Sequence, residues 1–266
     1  MASAPDNYKI YAIKYAHHDR PARDNFLGGD PHDVNMPLDY FVWAVVGASR
    51  TFLVDSGFDV EGGAKRGRTT THRVEEGLGA LGIAPESVED VIITHMHYDH
   101  AGNRSLFPKA RYHVQDREMA YCTGRCMCHG VLSHPFDPED VKTMVGRVFD
   151  GRVEFHDGDT QLASGLSVHR VGGHTDGLQV VRVHTERGWV VLASDASHLY
   201  ANMDQKRPFP AVYNVGDMLE GYRRVHELAD SAQHVVPGHD PAVLTRYATH
   251  SRETEGWIVR LDTAPR

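Results

Sequence analysis

The sequence predicts an α+β fold in which two mixed β-sheets pack face to face, with helices on their outer faces. Three observations carry this. Strand-like runs occur in both halves of the chain, each set is followed by amphipathic helical segments, and no low-complexity tract, short repeat or Gly/Ser linker separates the halves. A length of 266 residues sits at the upper end of what one hydrophobic core supports, so residues 1–266 are read as a single domain.

The elements follow in order. Tyr40 to Val46 and Arg50 to Val54 are rich in aromatic and β-branched residues and flank Gly47-Ala48-Ser49, the pattern of a hairpin ending at Asp55-Ser56-Gly57. Thr71 to Leu81 reads as a helix closed near Gly82, and Val88 to Thr94 as a short buried strand. Asp137 with Pro138 behind it starts a helix carrying Val141, Met144, Val145 and Val148 on one face. The second half repeats the theme with strands at Leu166 to Val171, Leu178 to His184 and Trp189 to Ala193. A helix from Asp217 to Ala229 follows, then a short strand from His234 to Val236.

Composition narrows the function classes. A formal charge of -8 argues against a nucleic-acid partner, because such binding is driven by clustered Lys and Arg. No stretch has the apolar length that spans a bilayer, and the opening segment from Met1 to Lys9 lacks the apolar core of a secretory signal. A cytoplasmic location is expected. Cys122, Cys126 and Cys128 crowd together and cannot all pair within one chain, so reduced thiols are expected, and their spacing with His129 fits no standard zinc pattern. Histidine stands out: 19 residues is roughly three times the ordinary usage.

Three imidazoles and a carboxylate fall within Thr94-His95-Met96-His97-Tyr98-Asp99-His100. In an extended turn His95 and His97 point to one side and can grip one ion, while Asp99 and His100 can turn toward a second. Three further loops, each directly after a strand, add His174 (Gly172-Gly173-His174), Asp195 (Ser194-Asp195-Ala196) and His239 (Pro237-Gly238-His239). Imidazole and carboxylate suit zinc best among the available divalent metals, with Fe and Mn also accepting the set. Asp55, after a strand, is placed to support a ligand from behind.

This order of residues resembles the metallo-β-lactamase superfamily, whose pattern is His-x-His-x-Asp-His, then His, Asp and His. The resemblance implies an αββα sandwich of two mixed β-sheets with His95, His97 and His174 on one metal, Asp99, His100 and His239 on the other, and Asp195 bridging both. Asp195 stands where the true β-lactamases place a cysteine, and His97 where the oxygen-reducing di-iron branch places a glutamate. The segment Thr94 to Asn103 and the Asp195-Ala196-Ser197 run look most like the N-acyl homoserine lactonase group. One departure is evident: that group carries a tyrosine three positions after the bridging Asp, where this chain has His198, with Tyr200 the nearest tyrosine.

The expected chemistry is hydrolytic ring opening, with a water shared by two divalent cations as the nucleophile. Asp99 would orient it and pass a proton to the leaving oxygen, and His198 or Tyr200 would donate to the carbonyl. N-acyl homoserine lactones, hence quorum quenching, are the first-choice substrates. The alternatives are a lactonase or ester hydrolase of an aromatic-degradation pathway and a glyoxalase II-like thioester hydrolase; a non-catalytic sensor has no use for so complete a ligand set. The partner is a small-molecule lactone or ester, with a homodimer left open. The irregular stretch Phe26 to Tyr40 is read as a lid, and Met119, Tyr121, Met127 and Phe136 as either a pocket wall or core.

Overall fold

The computed structural model describes residues 4–266, so Met1, Ala2 and Ser3 of the opening segment lie outside the described residues. The larger sheet contains β1 (Lys9–His18), β2 (Leu38–Val46), β3 (Thr51–Val54), β4 (Thr69–Thr70), β5 (Asp90–Ile92), β6 (Arg111–Gln115) and β7 (Val153–His156). The smaller contains β8 (Thr160–Ala163), β9 (Leu166–Arg170), β10 (Gln179–Thr185), β11 (Gly188–Ser194) and β12 (Val235–Pro237). β13 (Ala248–Thr249) and β14 (Ile258–Arg260) return to the larger sheet beside β1.

The strand order is β13-β14-β1-β2-β3-β5-β6-β7, with β4 on β1, in one sheet and β12-β11-β10-β9-β8 in the other. Each sheet mixes parallel and antiparallel pairs, as β2–β3 and β3–β5 show in the first and β10–β11 and β11–β12 in the second.

β2 explains the layering. Its Phe41, Trp43 and Val45 join the core between the sheets, in one cluster with Val181, Val183, Val190 and Leu192 of the smaller sheet. Its Tyr40, Val42 and Ala44 face the other way into a second core with Leu53, Leu78 and Met144 under the outer helices. Side chains alternate with period two, so a strand buried on both faces reads as a continuous apolar run. Helix Pro138–Phe149 covers the larger sheet and helix Val215–Leu228 the smaller, through Met218, Tyr222 and Val225. The expected two-sheet sandwich with outer helices is the observed architecture.

Boundaries differ where caps decide them. The helix expected from Thr71 starts at Val74, because Thr69 and Thr70 pair with β1 and Arg73 takes the cap position. The helix expected from Asp217 starts at Val215, since the Asn214 side chain accepts from the Asp217 amide. Among the described residues no helix is long and apolar enough to cross a membrane.

Candidate metal centre

Parallel pairing lines up the strand ends that carry the site. The register Val54↔Ile92 sets Asp55 beside the start of the His-rich turn, and Ser194↔Pro237 sets Asp195 beside His239. The loop after β9 brings in His174 from the same edge of the smaller sheet. Gly238 permits the close approach: a Cβ there would lie 2.7 Å from Asp195 Oδ1 and 2.8 Å from the Ser194 carbonyl carbon.

The seven side chains named from the sequence come together in two groups. His95, His97, His174 and Asp195 offer ligand atoms within 4.8 Å of one another, as do Asp99, His100 and His239. Asp195 lies between them. Its Oδ2 is 3.2 Å from His174 Nε2 and 3.7 Å from His95 Nε2, while its Oδ1 is 2.9 Å from His239 Nε2 and 3.4 Å from His100 Nε2. Asp99 Oδ2 is 3.6 Å from His100 Nε2 and 3.7 Å from His239 Nε2.

The outward-facing nitrogens of four of the five histidines are tied down, which fixes those rings. His95 Nδ1 meets the Thr94 hydroxyl at 3.1 Å, His100 Nδ1 donates to Asp55 at 2.7 Å, His174 Nδ1 to the Ala211 carbonyl at 2.6 Å and His239 Nδ1 to the Asp39 carbonyl at 2.9 Å. Asp55, held at φ 61, also accepts from the Thr94 amide and hydroxyl.

The inward-facing atoms test whether a cation fits. His95 Nε2, His100 Nε2 and Asp195 Oδ1 are buried and make no hydrogen bond among the described residues, and His97 Nδ1 faces His174 Nε2 at 2.8 Å. Each buried polar atom left so costs about 1–3 kcal/mol, a penalty that coordination removes. Burial, then the His100 and His97 imidazoles, hold His95 well below the usual histidine range; burial and His174 do the same to His97. Both are therefore neutral with lone pairs free, the form a ligand needs. Burial pushes the Asp195 carboxyl up, but His198, His239, His100 and His174 outweigh it and hold it well below the usual carboxylate range. The donor set fits divalent cations.

Around this centre the remaining expectations separate. His198 is at the site: its ring stacks on Phe209 at 3.7 Å and its Nε2 lies 3.1 Å from Asp195 Oδ2. Tyr200 is not. It opens the helix Tyr200–Asp204 with its amide donating to Asp240, its ring lies in the inter-sheet core under Arg246, and it does not line the cleft above the centre. Met119, Tyr121 and Phe136 belong to the outer core, with Phe136 packed edge-on against His97. Of the stretch read as a lid, Leu38 and Tyr40 reach the cleft, and Arg207 pins the tip through Asp30 and the Gly29 carbonyl. Cys122 is buried beside Met119, and the three thiols are unpaired.

One residue of the site went unnoticed in the sequence. Glu118 is fully buried and accepts from the Met96 amide at 2.8 Å, the Thr175 hydroxyl at 2.6 Å and the Gly177 amide at 3.1 Å. It braces the His95–His97 turn against the His174 loop. An isolated Glu in a short helix carries no signal for this.

Comparison with known proteins agrees with the geometry. The chain is 27% identical over 187 residues to an N-acyl homoserine lactonase from a Bacillus species, covering 70% of this chain and 69% of that one. A solved quorum-quenching N-acyl homoserine lactone lactonase superposes with a TM-score of 0.73 at 22% identity, covering 90% of this chain and 94% of that one. AidC, a dizinc quorum-quenching lactonase, superposes with a TM-score of 0.66 at 15% identity, covering 89% and 92%. The family model described as the metallo-beta-lactamase superfamily matches residues 36–244, a span that takes in every residue of the centre. A chain whose two sheets deliver this His and Asp set across that whole matched span belongs to the metallo-β-lactamase superfamily and is a metal-dependent hydrolase.

Proposed function

We propose that this protein is a lactonase that opens a small lactone ring at a pair of zinc ions, one held by His95, His97 and His174 and the other by Asp99, His100 and His239, with Asp195 shared. The observation that carries this is the Asp195 carboxylate, whose two oxygens face two separate sets of imidazoles. When bound, the cations polarise a carbonyl oxygen and lower the pKa of a water toward neutrality.

The chain's own groups do the rest. Asp99 faces the cleft, so its carboxylate can hold the proton of the attacking water and hand it to the ring oxygen as the acyl C–O bond breaks. Burial holds His198 down at about 3, so it is neutral and carries one N–H, placed at Asp195 and at the cleft floor. We assign that N–H to be shared between Asp195 and the substrate carbonyl oxygen, where charge develops in the tetrahedral intermediate. Tyr40 and Tyr98 wall the cleft beside Asp99. The fold and matched span support one hydrolase domain.

The names of its relatives make N-acyl homoserine lactones the reference substrates, and their turnover would carry quorum quenching with it. The test is elemental analysis of purified protein together with turnover of N-hexanoyl homoserine lactone, aromatic-derived lactones and S-lactoylglutathione. Ring opening by protein holding two zinc ions per chain is expected. Dimetal protein that opens no lactone, or that prefers the thioester, overturns the reading.

A further inference from the structure

The cleft over the metal centre has a volume of about 360 Å³, and its rim carries three arginines, Arg20, Arg66 and Arg68. Sheet pairing gathers them. β4 pairs with β1 through His17↔Thr69, which lays Arg66 and Arg68, just before β4, alongside Arg20, just after β1. Arg68 Nη1 lies 3.4 Å from His18 Nε2.

None of the three forms an ion pair within 4.0 Å among the described residues. Arg50, Arg104, Arg207 and Arg260, by contrast, each hold an aspartate. The carboxylates that share the cleft, Asp99 and Asp195, are claimed by the metal centre. In a chain with a formal charge of -8, unpaired guanidiniums gathered at one cleft call for an explanation. Burial and the nearby Arg68 and Arg20 hold His18 down at about 4, so it adds no charge of its own.

Arg66 has a structural occupation. Its guanidinium donates to the carbonyls of His134 at 2.7 Å and Phe136 at 2.8 Å and stacks on Tyr98. The other two keep donors in hand. Arg68 uses Nε on the Tyr98 hydroxyl and Nη1 on the Arg66 carbonyl, and its Nη2 makes no hydrogen bond to the described residues. Arg20 uses Nη2 on the Asp24 carbonyl, while its buried Nε has no partner. Arg20 also lies over Phe209, the same ring that stacks on His198. Both guanidiniums thus line the cleft in which the lactone would rest, Arg20 beside the ring that stacks on His198. A guanidinium with N–H groups to spare matches a carboxylate, which accepts two of them in a fork.

We propose that the substrate is a lactone bearing a carboxylate, which Arg20 and Arg68 bind while the ring carbonyl meets the metal centre. This rests on the lactonase reading and redirects it from neutral acyl homoserine lactones to an anionic ring. Water adds to the carbonyl carbon, the acyl C–O bond breaks, one of the water's protons passes to the ring oxygen and the other leaves to solvent as the new carboxyl ionises, and the product is a hydroxy-dicarboxylate.

The test compares the γ-carboxylate of γ-butyrolactone with its γ-carboxamide, equal in shape and unequal in charge, on metal-loaded protein. A charge-assisted hydrogen bond of ordinary strength predicts a kcat/KM preference for the carboxylate of about 10- to 100-fold, carried mainly by KM. The preference should collapse toward one in the Arg20→Gln/Arg68→Gln double variant, return in part with Arg68→Lys, and shrink with added salt. Equal turnover of the two probes by the wild type, or a preference untouched by the double substitution, overturns the proposal. Calorimetric binding of α-hydroxyglutarate, the ring-opened product, supplies a readout separate from turnover, with melting temperature and metal content as folding controls. If no lactone is opened at all, the lactonase reading falls alone: affinity for α-hydroxyglutarate that drops in the double variant then upholds the anion site, and unchanged affinity removes it.

Discussion

Glu118 and Asp55 show what single side chains contribute from behind the ligands. Glu118 faces three donors and is fully buried, and burial raises its carboxyl from the ordinary range while those donors pull it back. Glu118→Gln replaces one acceptor oxygen by an NH2 that faces a donor, leaving two buried groups unmatched. We expect a loss of about 2–4 kcal/mol in urea unfolding, the scale of a broken buried hydrogen-bond network. Metal content should fall with it, because Met96 lies between His95 and His97 and Thr175 follows His174. Full metal content and unchanged stability would refute the brace. Asp55 touches one ring directly, through His100 Nδ1, and reaches His95 only by way of the Thr94 hydroxyl. Asp55→Asn keeps the shape but weakens the pull on that imidazole, so affinity should fall by about 10- to 100-fold for the cation held by His100, the range for substitutions behind a ligand. A chelator competition that finds both cations bound as tightly as in the wild type would remove Asp55 from this role.

At the scale of elements, the centre depends on strand ends meeting at a fixed spacing. Gly238 is where β12 passes Asp195, with no room for a methyl group. Gly238→Ala should cost about 1–3 kcal/mol by overpacking and release metal, since the displaced group is the shared carboxylate. Asp137→Ala is the matched control. Its side chain caps helix Pro138–Phe149 by accepting from the Glu139 amide at 2.8 Å, so its loss should cost about 1 kcal/mol with metal content intact. Equal metal loss in both variants would mean that the centre responds to stability alone. The same scale explains what could be read from the chain. β2, β3, β10 and β11 were legible because strands buried on both faces write themselves as apolar runs, and all seven ligand residues were legible because each follows a strand. β1 was missed because Lys14 and His17 interrupt its pattern, and both are satisfied by Asp39 on the neighbouring strand. β6 and β7 hid for the same reason: His113 sits between Asp90 at 3.0 Å and His156 at 3.1 Å, partners on two other strands. Polar residues matched across tens of positions look like loop until the strands are paired.

For the whole molecule, the ligands come from both sheets. His95, His97, Asp99 and His100 follow β5 of the larger sheet, whereas His174, Asp195 and His239 follow β9, β11 and β12 of the smaller. Cations held by both groups would therefore clamp one sheet to the other, with Glu118 as the protein's own tie across the same gap. Loss of the cations should consequently be felt as stability, not as activity alone. A ligand that binds only the folded state adds about 4 kcal/mol when present at about a thousand times its dissociation constant. For a chain of this size each kcal/mol moves the midpoint by about 2–4 °C, so chelation should lower Tm by about 8–16 °C. Hydrogen exchange separates a clamp from a local site: residues 94–102 and residues 172–177, 194–199 and 237–240 should lose protection together, because freeing either sheet's loops removes the partner of the other. Protection lost on the larger sheet's segment alone, with Tm unchanged, would mean that the cations rest on one sheet and join nothing.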